Sequence, residues 1–159
     1  MRTPFSWLRE FAPFDLEVAD LAAIFDDLGL VIEDIERVGE SLDAVVVARV
    51  VDIAAIPGAD RIRRVTVDAG SGPLEVVCGA WNFEVGDMVP LAPVGAELPG
   101  GFKVARRKMK GVTSNGMLCS GRELGLSDDA AGIMVVSEVG EPGADGFLEP
   151  GRSLVDALG

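Results

Sequence analysis

The sequence contains no histidine, and its 14 lysines and arginines are outnumbered by 26 aspartates and glutamates, which gives a formal net charge of -12. Histidine is the commonest general base and the usual partner of a serine or cysteine nucleophile, so its absence excludes a catalytic triad. The two cysteines, Cys78 and Cys119, form no CxxC pattern and have no histidine with which to complete a zinc site. We therefore interpret both as small, buried hydrophobic residues.

Nucleotide-binding loops and membrane segments are also missing. Neither a GxxxxGKS/T loop nor a GxGxxG after a strand occurs, so no cofactor site is predicted in this chain. Adjacent carboxylates such as Asp26-Asp27 and Asp128-Asp129 are interpreted as surface charge, because nothing nearby would desolvate one member. No apolar run approaches the roughly 20 residues of a membrane helix, and the N-terminus lacks a signal-peptide core. We expect a cytoplasmic protein without membrane contact, and a chain that is not by itself an enzyme.

Residues 1–40 have a helical pattern. Ser6 is expected to cap a short helix that runs to Phe11, and Asp15 to cap a second helix that ends at Gly29. The second helix carries an apolar face without an evident partner: Val18, Leu21, Ala22, Phe25 and Leu28. Residues 30–38 suggest a strand or an extended arm, and we place a domain boundary near residue 40.

Short β segments separated by glycine and proline follow from residue 44, which is typical of an antiparallel barrel or sandwich. The predicted strands are 44–55, 61–68, 74–79, 88–93, 102–108 and 133–136. A turn or short helix at 121–126 interrupts them, and the whole fits a mainly β, OB-like barrel. Residues beyond 138 have the composition of a linker, and the amphipathic segment 153–159 is expected to be too short to bury anything.

Positive charge is concentrated in one stretch. Five of the 14 cations fall within eight residues: Lys103, Arg106, Arg107, Lys108 and Lys110. A glycine-bracketed turn, 111–117, follows them and contains Ser114 and Asn115, which is a composition that can expose backbone N–H groups. The stretch resembles an anion-binding surface, for which a phosphate backbone is the expected ligand. The alternative is a solvated strand edge that lysine and arginine keep from pairing with other strands.

Several motifs occur in the order in which they appear in one protein family. They are Ser6-Trp7-Leu8, Pro57-Gly58-Ala59-Asp60-Arg61, Val77-Cys78-Gly79-Ala80, Leu98-Pro99-Gly100-Gly101-Phe102, the stretch 111–120, and Glu123-Leu124-Gly125-Leu126. On these motifs the chain resembles the N-terminal region of the bacterial phenylalanine-tRNA ligase β subunit along essentially its whole length. Two turns depart from the family pattern: Ile56 stands where histidine is common, and Trp81 where proline is common.

The resemblance implies an OB-fold, a five-stranded Greek-key barrel, over residues 40–150. This module would be inserted into a partial helical or α+β domain, of which 1–39 supply one half and 151–159 begin the returning segment. It would bind tRNA and contribute to tRNA(Phe) aminoacylation, while catalysis with ATP and magnesium belongs to the α subunit and hydrolysis of mischarged tRNA to a later β domain. The implied partners are the α subunit and the remainder of the β subunit, in a heterotetramer of two α and two β chains.

Ten residues are predicted to contact tRNA: Arg61, Arg63, Arg64, Lys103, Arg106, Arg107, Lys108, Lys110, Ser114 and Asn115. Residues 41–124 nevertheless hold nearly equal numbers of cations and acids, which is weak for a nucleic-acid binder. A structural module of the synthetase with little tRNA contact is therefore one alternative, and a free-standing OB-fold tRNA-binding protein is another. Trp81 can stack on a base or cap the mouth of the barrel, and capping is the preferred interpretation.

Overall fold

Residues 3–35, 39, 41–136 and 149–158 are described by the computed structural model of this protein. The chain forms two units, Met1–Arg37 and Val38–Gly159, so the boundary between them lies close to the predicted one at residue 40. Within the described ranges, no helix is both long enough and apolar enough to cross a membrane.

The first unit contains two helices, α1 (Phe5–Phe11) and α2 (Val18–Asp27). Both predicted N-caps are wrong, because the helices begin after Pro4 and Glu17, and neither of these residues makes a side-chain capping bond. The first-turn N–H groups can be satisfied by water instead, since helix ends at a surface need no side-chain partner. The predicted end of α2 is confirmed: Gly29 has φ +80°, and the N–H of Leu30 donates to the carbonyl of Phe25 at 2.8 Å.

The apolar face of α2 stays largely open, since none of the helix residues is buried. Leu28 is 70% exposed, and Val31 in the following segment is 79% exposed. Residues 30–35 form no strand, so the strand alternative is wrong for them, while the extended arm stays a prediction; residues 36–38 lie outside the described residues. As predicted, the helix face has no partner in the described part of its unit.

The second unit contains nine short strands and a C-terminal helix in the ranges that the structure describes. The strands are β1 (Val46–Ile56), β2 (Ala59–Asp68), β3 (Pro73–Cys78), β4 (Met88–Pro93), β5 (Glu97–Leu98), β6 (Phe102–Lys103), β7 (Arg107–Met109), β8 (Val112–Ser114) and β9 (Gly116–Leu118), and the helix is α3 (Leu154–Leu158). Five strands form one antiparallel sheet in the order β3-β2-β1-β4-β9. The mainly β, OB-like architecture is confirmed.

Strand β1 is central to this sheet because it pairs along its first part with β4 and along its second part with β2. A register shift between Val50 and Asp52 marks the change, and Val51 at that point is 47% exposed. Such an irregularity bends a strand and increases its twist, which is how one strand can serve two parts of a curved sheet. Alternate residues point inward, so that Val47, Val65 and Val76 are completely buried.

The predicted strand 102–108 is divided in two. Phe102–Lys103 pair with β5 and Arg107–Met109 pair with β8, while Val104 between them is buried in the core. The backbone N–H of Val104 donates to Ala96 and its carbonyl accepts from Gly95, both at 2.8 Å. These bonds extend the pairing of β6 with β5 by one residue, and the chain then changes its partner from β5 to β8 across residues 105 and 106.

The predicted strand 133–136 is also wrong, since residues 133–135 are irregular and Val136 is helical. The carbonyl and N–H of Ile133 are both bonded to the side-chain amide of Asn82, at 2.8 and 3.0 Å. The side chain of Asn82 therefore bonds the backbone groups of Ile133 that a neighbouring strand would otherwise have bonded. The predicted linker at 138–148 lies outside the described residues.

The end of the chain packs on the β unit, which corrects the expectation that segment 153–159 buries nothing. Leu154 and Ala157 are fully buried in the same core cluster as Val47. The N–H of Gly151 donates to the carbonyl of Val47, and the N–H of Val47 donates to the carbonyl of Arg152, both at 2.8 Å. Whether this segment also begins a returning part of the first domain stays a prediction.

Candidate nucleic-acid interface

The β7–β8 hairpin presents most of the clustered cations. Its turn is formed by Lys110, with φ +50°, and Gly111, with φ +83°. Two successive positive φ angles are the mark of a type I′ turn, whose twist matches that of a two-stranded ribbon. Arg107 and Lys108 lie on β7 and Lys110 at the tip, and all three are exposed. The turn and the pairing with β8 therefore hold these three cations outside the core.

Lys103 and Arg106, which precede the hairpin, are exposed as well. None of the five cations forms an ion pair with any other residue in the part of the chain that the structure describes. Their charge is therefore not neutralised locally by a carboxylate. Exposed, uncompensated cations on one ribbon produce a local positive potential on a chain whose overall charge is negative.

The turn after β8 fastens the hairpin to β3. Ser114 is only 3% exposed, and its hydroxyl accepts from the N–H of Val77 and donates to the carbonyl of Gly116, both at 2.9 Å. The N–H of Asn115 donates to the carbonyl of Glu75 at 2.9 Å, and the side-chain amide of Asn115 donates to the same carbonyl at 3.3 Å. Ser114 and Asn115 thus position the cationic hairpin, and the turn does not expose the N–H of Asn115.

The three arginines of β2 have different surroundings. Arg61 is exposed and lines a shallow depression together with Ala59, Asp60, Ile62 and Lys110. Arg64 forms an ion pair with Glu75 at 3.6 Å, although both side chains are more than two-fifths exposed. Such an exposed pair contributes little to stability. Arg61 therefore joins the hairpin tip, whereas Arg64 is engaged with a neighbouring acid.

Arg63 is 8% exposed and is held inside the structure. It donates from a terminal nitrogen to the carbonyl of Ala80 at 2.7 Å, and its guanidinium carbon lies 4.5 Å from the ring centre of Trp81 and 4.9 Å from that of Phe83. These are cation–π distances, and the contact is stronger where water is excluded. Trp81 is 62% exposed and covers Arg63, while the interpretation that it caps the barrel mouth stays a prediction.

The ten predicted residues therefore fall into two groups. Six cations are exposed and form what we call the cationic surface: Arg61, Lys103, Arg106, Arg107, Lys108 and Lys110. The other four are engaged within the protein: Arg63, Arg64, Ser114 and Asn115. No local pattern indicates that Trp81 covers Arg63, because the two residues meet only through the pairing of β2 with β3 and the loop that follows.

The two cysteines are free and buried, in agreement with their interpretation as core residues. The pKa of the Cys119 thiol is raised to about 12, mainly by burial and to a smaller extent by the nearby Glu123 carboxylate. Burial also raises the pKa of Cys78, against a smaller opposing effect of the hydrogen bond from Ala80. Both thiols are therefore protonated near neutral pH, which is the unreactive form.

Residues 45–145 match the family model described as "Putative tRNA binding domain". The chain belongs to this tRNA-binding domain family. The matched range starts one residue before β1 and covers every strand of the barrel, including the hairpin that carries most of the cationic surface. The predicted tRNA-binding domain is therefore confirmed.

Among curated proteins, this chain is similar to longer proteins that are named phenylalanine–tRNA ligase β subunits. The one from Bordetella parapertussis is 49% identical over 91% of this chain, and that from Geobacter sulfurreducens is 44% identical over 100%. The one from Syntrophotalea carbinolica is 44% identical over 92%. This chain spans only 18–19% of the length of these relatives. The predicted resemblance to the β subunit is confirmed, and the catalytic activity in their names belongs to proteins about five times as long.

Proposed function

We propose that this tRNA-binding domain contacts the phosphate backbone of tRNA through the cationic surface, as part of a phenylalanine–tRNA ligase β subunit. The observation that supports this most is the absence of acidic partners for the cations of the β7–β8 hairpin among the described residues. Phosphate contact releases counterions from the nucleic acid, so uncompensated cations supply affinity regardless of base sequence. The hairpin is fixed to β3 by Ser114 and Asn115, which reduces the entropy lost on binding.

The tip of the hairpin and the start of β2 would act together. Arg61 and Lys110 line the same depression, together with Ala59, Ile62 and the acidic Asp60. The two cations outnumber the single acid there, so the depression favours an anionic group such as a phosphate. The predicted direct contacts of Arg63 and Ser114 are not supported by this geometry, because both side chains are buried and already bonded.

In the proposed role the chain itself is not catalytic. Aminoacylation of tRNA(Phe), with its ATP and magnesium, would take place on the α subunit, and this domain would help to hold the tRNA. The remaining partners would be the rest of the β subunit and a second αβ pair, in the cytoplasm. The names of the relatives support this assignment.

The test replaces Arg106, Arg107 and Lys108 together with alanine and measures tRNA affinity as a function of salt. Each phosphate contact contributes about 0.7 to 0.9 to the slope of log affinity against log salt, so the slope should become shallower by roughly 2 to 3. Affinity should fall by a similar factor for every tRNA, because phosphate contacts do not read sequence.

A charge-matched control replaces Arg2, Arg9 and Arg37 in the first unit, which changes the net charge of the chain by the same amount. This variant should keep the wild-type slope. Equal behaviour of the two triple variants, or no binding at low salt, would overturn the proposal and assign the hairpin to a solvated edge or to contact with another part of the synthetase.

A further inference from the structure

We infer that Trp81 is a stacking platform for an unpaired base of the bound RNA, which rests on the proposed function and adds a base contact to the phosphate contacts. The indole is 62% exposed, the second most exposed large aromatic side chain among the described residues after Phe11. One face of the ring is occupied by the guanidinium of Arg63, 4.5 Å from its centre. The exposed area therefore consists of the opposite face and the ring edges.

The loop that carries Trp81 is fixed on both sides. The carbonyl of Ala80 accepts a 2.7 Å hydrogen bond from Arg63, and the side chain of Asn82 makes two hydrogen bonds to the backbone of Ile133. Beneath the indole, Arg63 also contacts the ring of Phe83, which is 2% exposed. An exposed aromatic ring that is held in place loses little entropy when a base stacks on it.

The electronic character of the platform suits a nucleobase. The guanidinium interacts with the electron-rich π system of the indole from one face. It also supplies positive charge close to a base that stacks on the other face. Single-stranded nucleic acids are commonly bound by such a combination of an aromatic side chain and neighbouring cations. An apolar protein partner would gain nothing from the buried charge of Arg63.

The loop that carries Trp81 begins beside the backbone of Arg61, which belongs to the cationic surface. A Cβ atom built on Gly79, two residues before Trp81, would lie 3.4 Å from the carbonyl oxygen of Arg61. Arg61 in turn shares its depression with Lys110 at the tip of the hairpin. A strand whose phosphates follow Lys110 and Arg61 would pass beside Trp81, where an unstacked base can reach the indole.

The first experiment measures tRNA affinity for Trp81→Ala, Trp81→Leu and Trp81→Phe in the full 159-residue chain, with thermal unfolding to show that each variant is folded. Trp81→Ala and Trp81→Leu should weaken binding about 5- to 100-fold, as the loss of one stacked base does, and Trp81→Phe should retain most of the affinity. The slope of log affinity against log salt should not change, because no charge is removed. The matched control is Val85→Ala, another exposed apolar residue, which should bind as the wild type does.

The second experiment uses Trp7→Phe, which leaves Trp81 as the only tryptophan, and follows its fluorescence. A single-stranded RNA of about eight nucleotides should quench the emission and shield the indole from acrylamide. Polyphosphate of equal charge engages cations without bases, so it should leave the emission unchanged. An equal response to both ligands would show that the signal does not report stacking, and would overturn the inference.

The variants separate failure of this inference from failure of the proposed function. The platform is overturned, and the cationic surface is kept, if Trp81→Ala or Trp81→Leu binds tRNA with full affinity while the Arg106/Arg107/Lys108 variant binds weakly. The reverse result supports the platform and overturns the cationic surface. Absence of tRNA binding by the wild type at low salt overturns both.

Discussion

The hydroxyl of Ser114 accepts a hydrogen bond from the N–H of Val77 at 2.9 Å and thereby connects the cationic hairpin to β3. Ser114 also donates to Gly116, so that one buried side chain satisfies a donor of one strand and an acceptor of another. Strands β3 and β9 are the two ends of the five-stranded sheet. This serine therefore stabilises both the closure of the sheet and the position of Lys108 and Lys110.

Replacement of Ser114 with alanine should lower the free energy of unfolding by about 1 to 3 kcal/mol, because it leaves the N–H of Val77 unpaired in a buried site. Denaturant unfolding monitored by circular dichroism measures this change. Ser71→Ala, at an exposed turn position, is the control and should change stability by less than about 0.5 kcal/mol. Under conditions where the Ser114 variant is folded, the salt dependence of tRNA binding should equal that of the wild type. A shallower slope would show that loss of the Ser114 hydroxyl displaces cations of the hairpin, because the hydroxyl itself carries no charge.

Amide hydrogen exchange should be much faster in α2 than in β1. No residue of α2 is buried, whereas Val47 and Val50 of β1 are at most 1% exposed. Local opening of a helix without buried side chains costs little free energy, so its protection factors should be at least about 100-fold lower than those of β1. Mass spectrometry of the exchanged protein would measure both. Equal protection of α2 and β1 in a proven monomer would contradict this expectation.

Stability should decrease as the pH rises above 9. The pKa of Cys119 is raised from an ordinary value of 9.0 to about 12 in the folded protein. Between these two pH values the unfolded chain releases the thiol proton and the folded chain retains it, so ionisation stabilises the unfolded state. The free energy of unfolding therefore falls by at most about 1.4 kcal/mol per pH unit.

The measurement compares the free energy of unfolding of the wild type and of Cys119→Ala at pH 8 and pH 10. Between pH 8 and pH 10, the free energy of unfolding should fall by roughly 1 kcal/mol less in Cys119→Ala than in the wild type. Other groups that titrate in the same range contribute equally to both proteins and cancel in the difference. Identical pH dependence would show that Cys119 ionises as readily in the folded protein as in the unfolded chain.

Much of the architecture could be predicted from local pattern. Strands at 61–68, 74–79 and 88–93 agree with the observed β2, β3 and β4 within two residues at each end, because alternating apolar residues and bounding glycines are local signals. The errors occur where the decisive partner is distant in sequence. Ile133 is bonded to the side chain of Asn82 in place of a strand, and after Val104 the chain leaves β5 to pair with β8.

For the candidate site, the positions of the cations and the clustering of five of them are evident from the sequence. Which of the predicted residues are exposed depends on the folded chain. Arg61 and Arg63 are two residues apart on one strand, yet Arg61 is exposed beside Lys110 and Arg63 is buried under Trp81. The exposure of a side chain depends on residues of other strands that pack around it. Strand pairing brings together residues that are far apart in the sequence, and no local pattern indicates which residues these are.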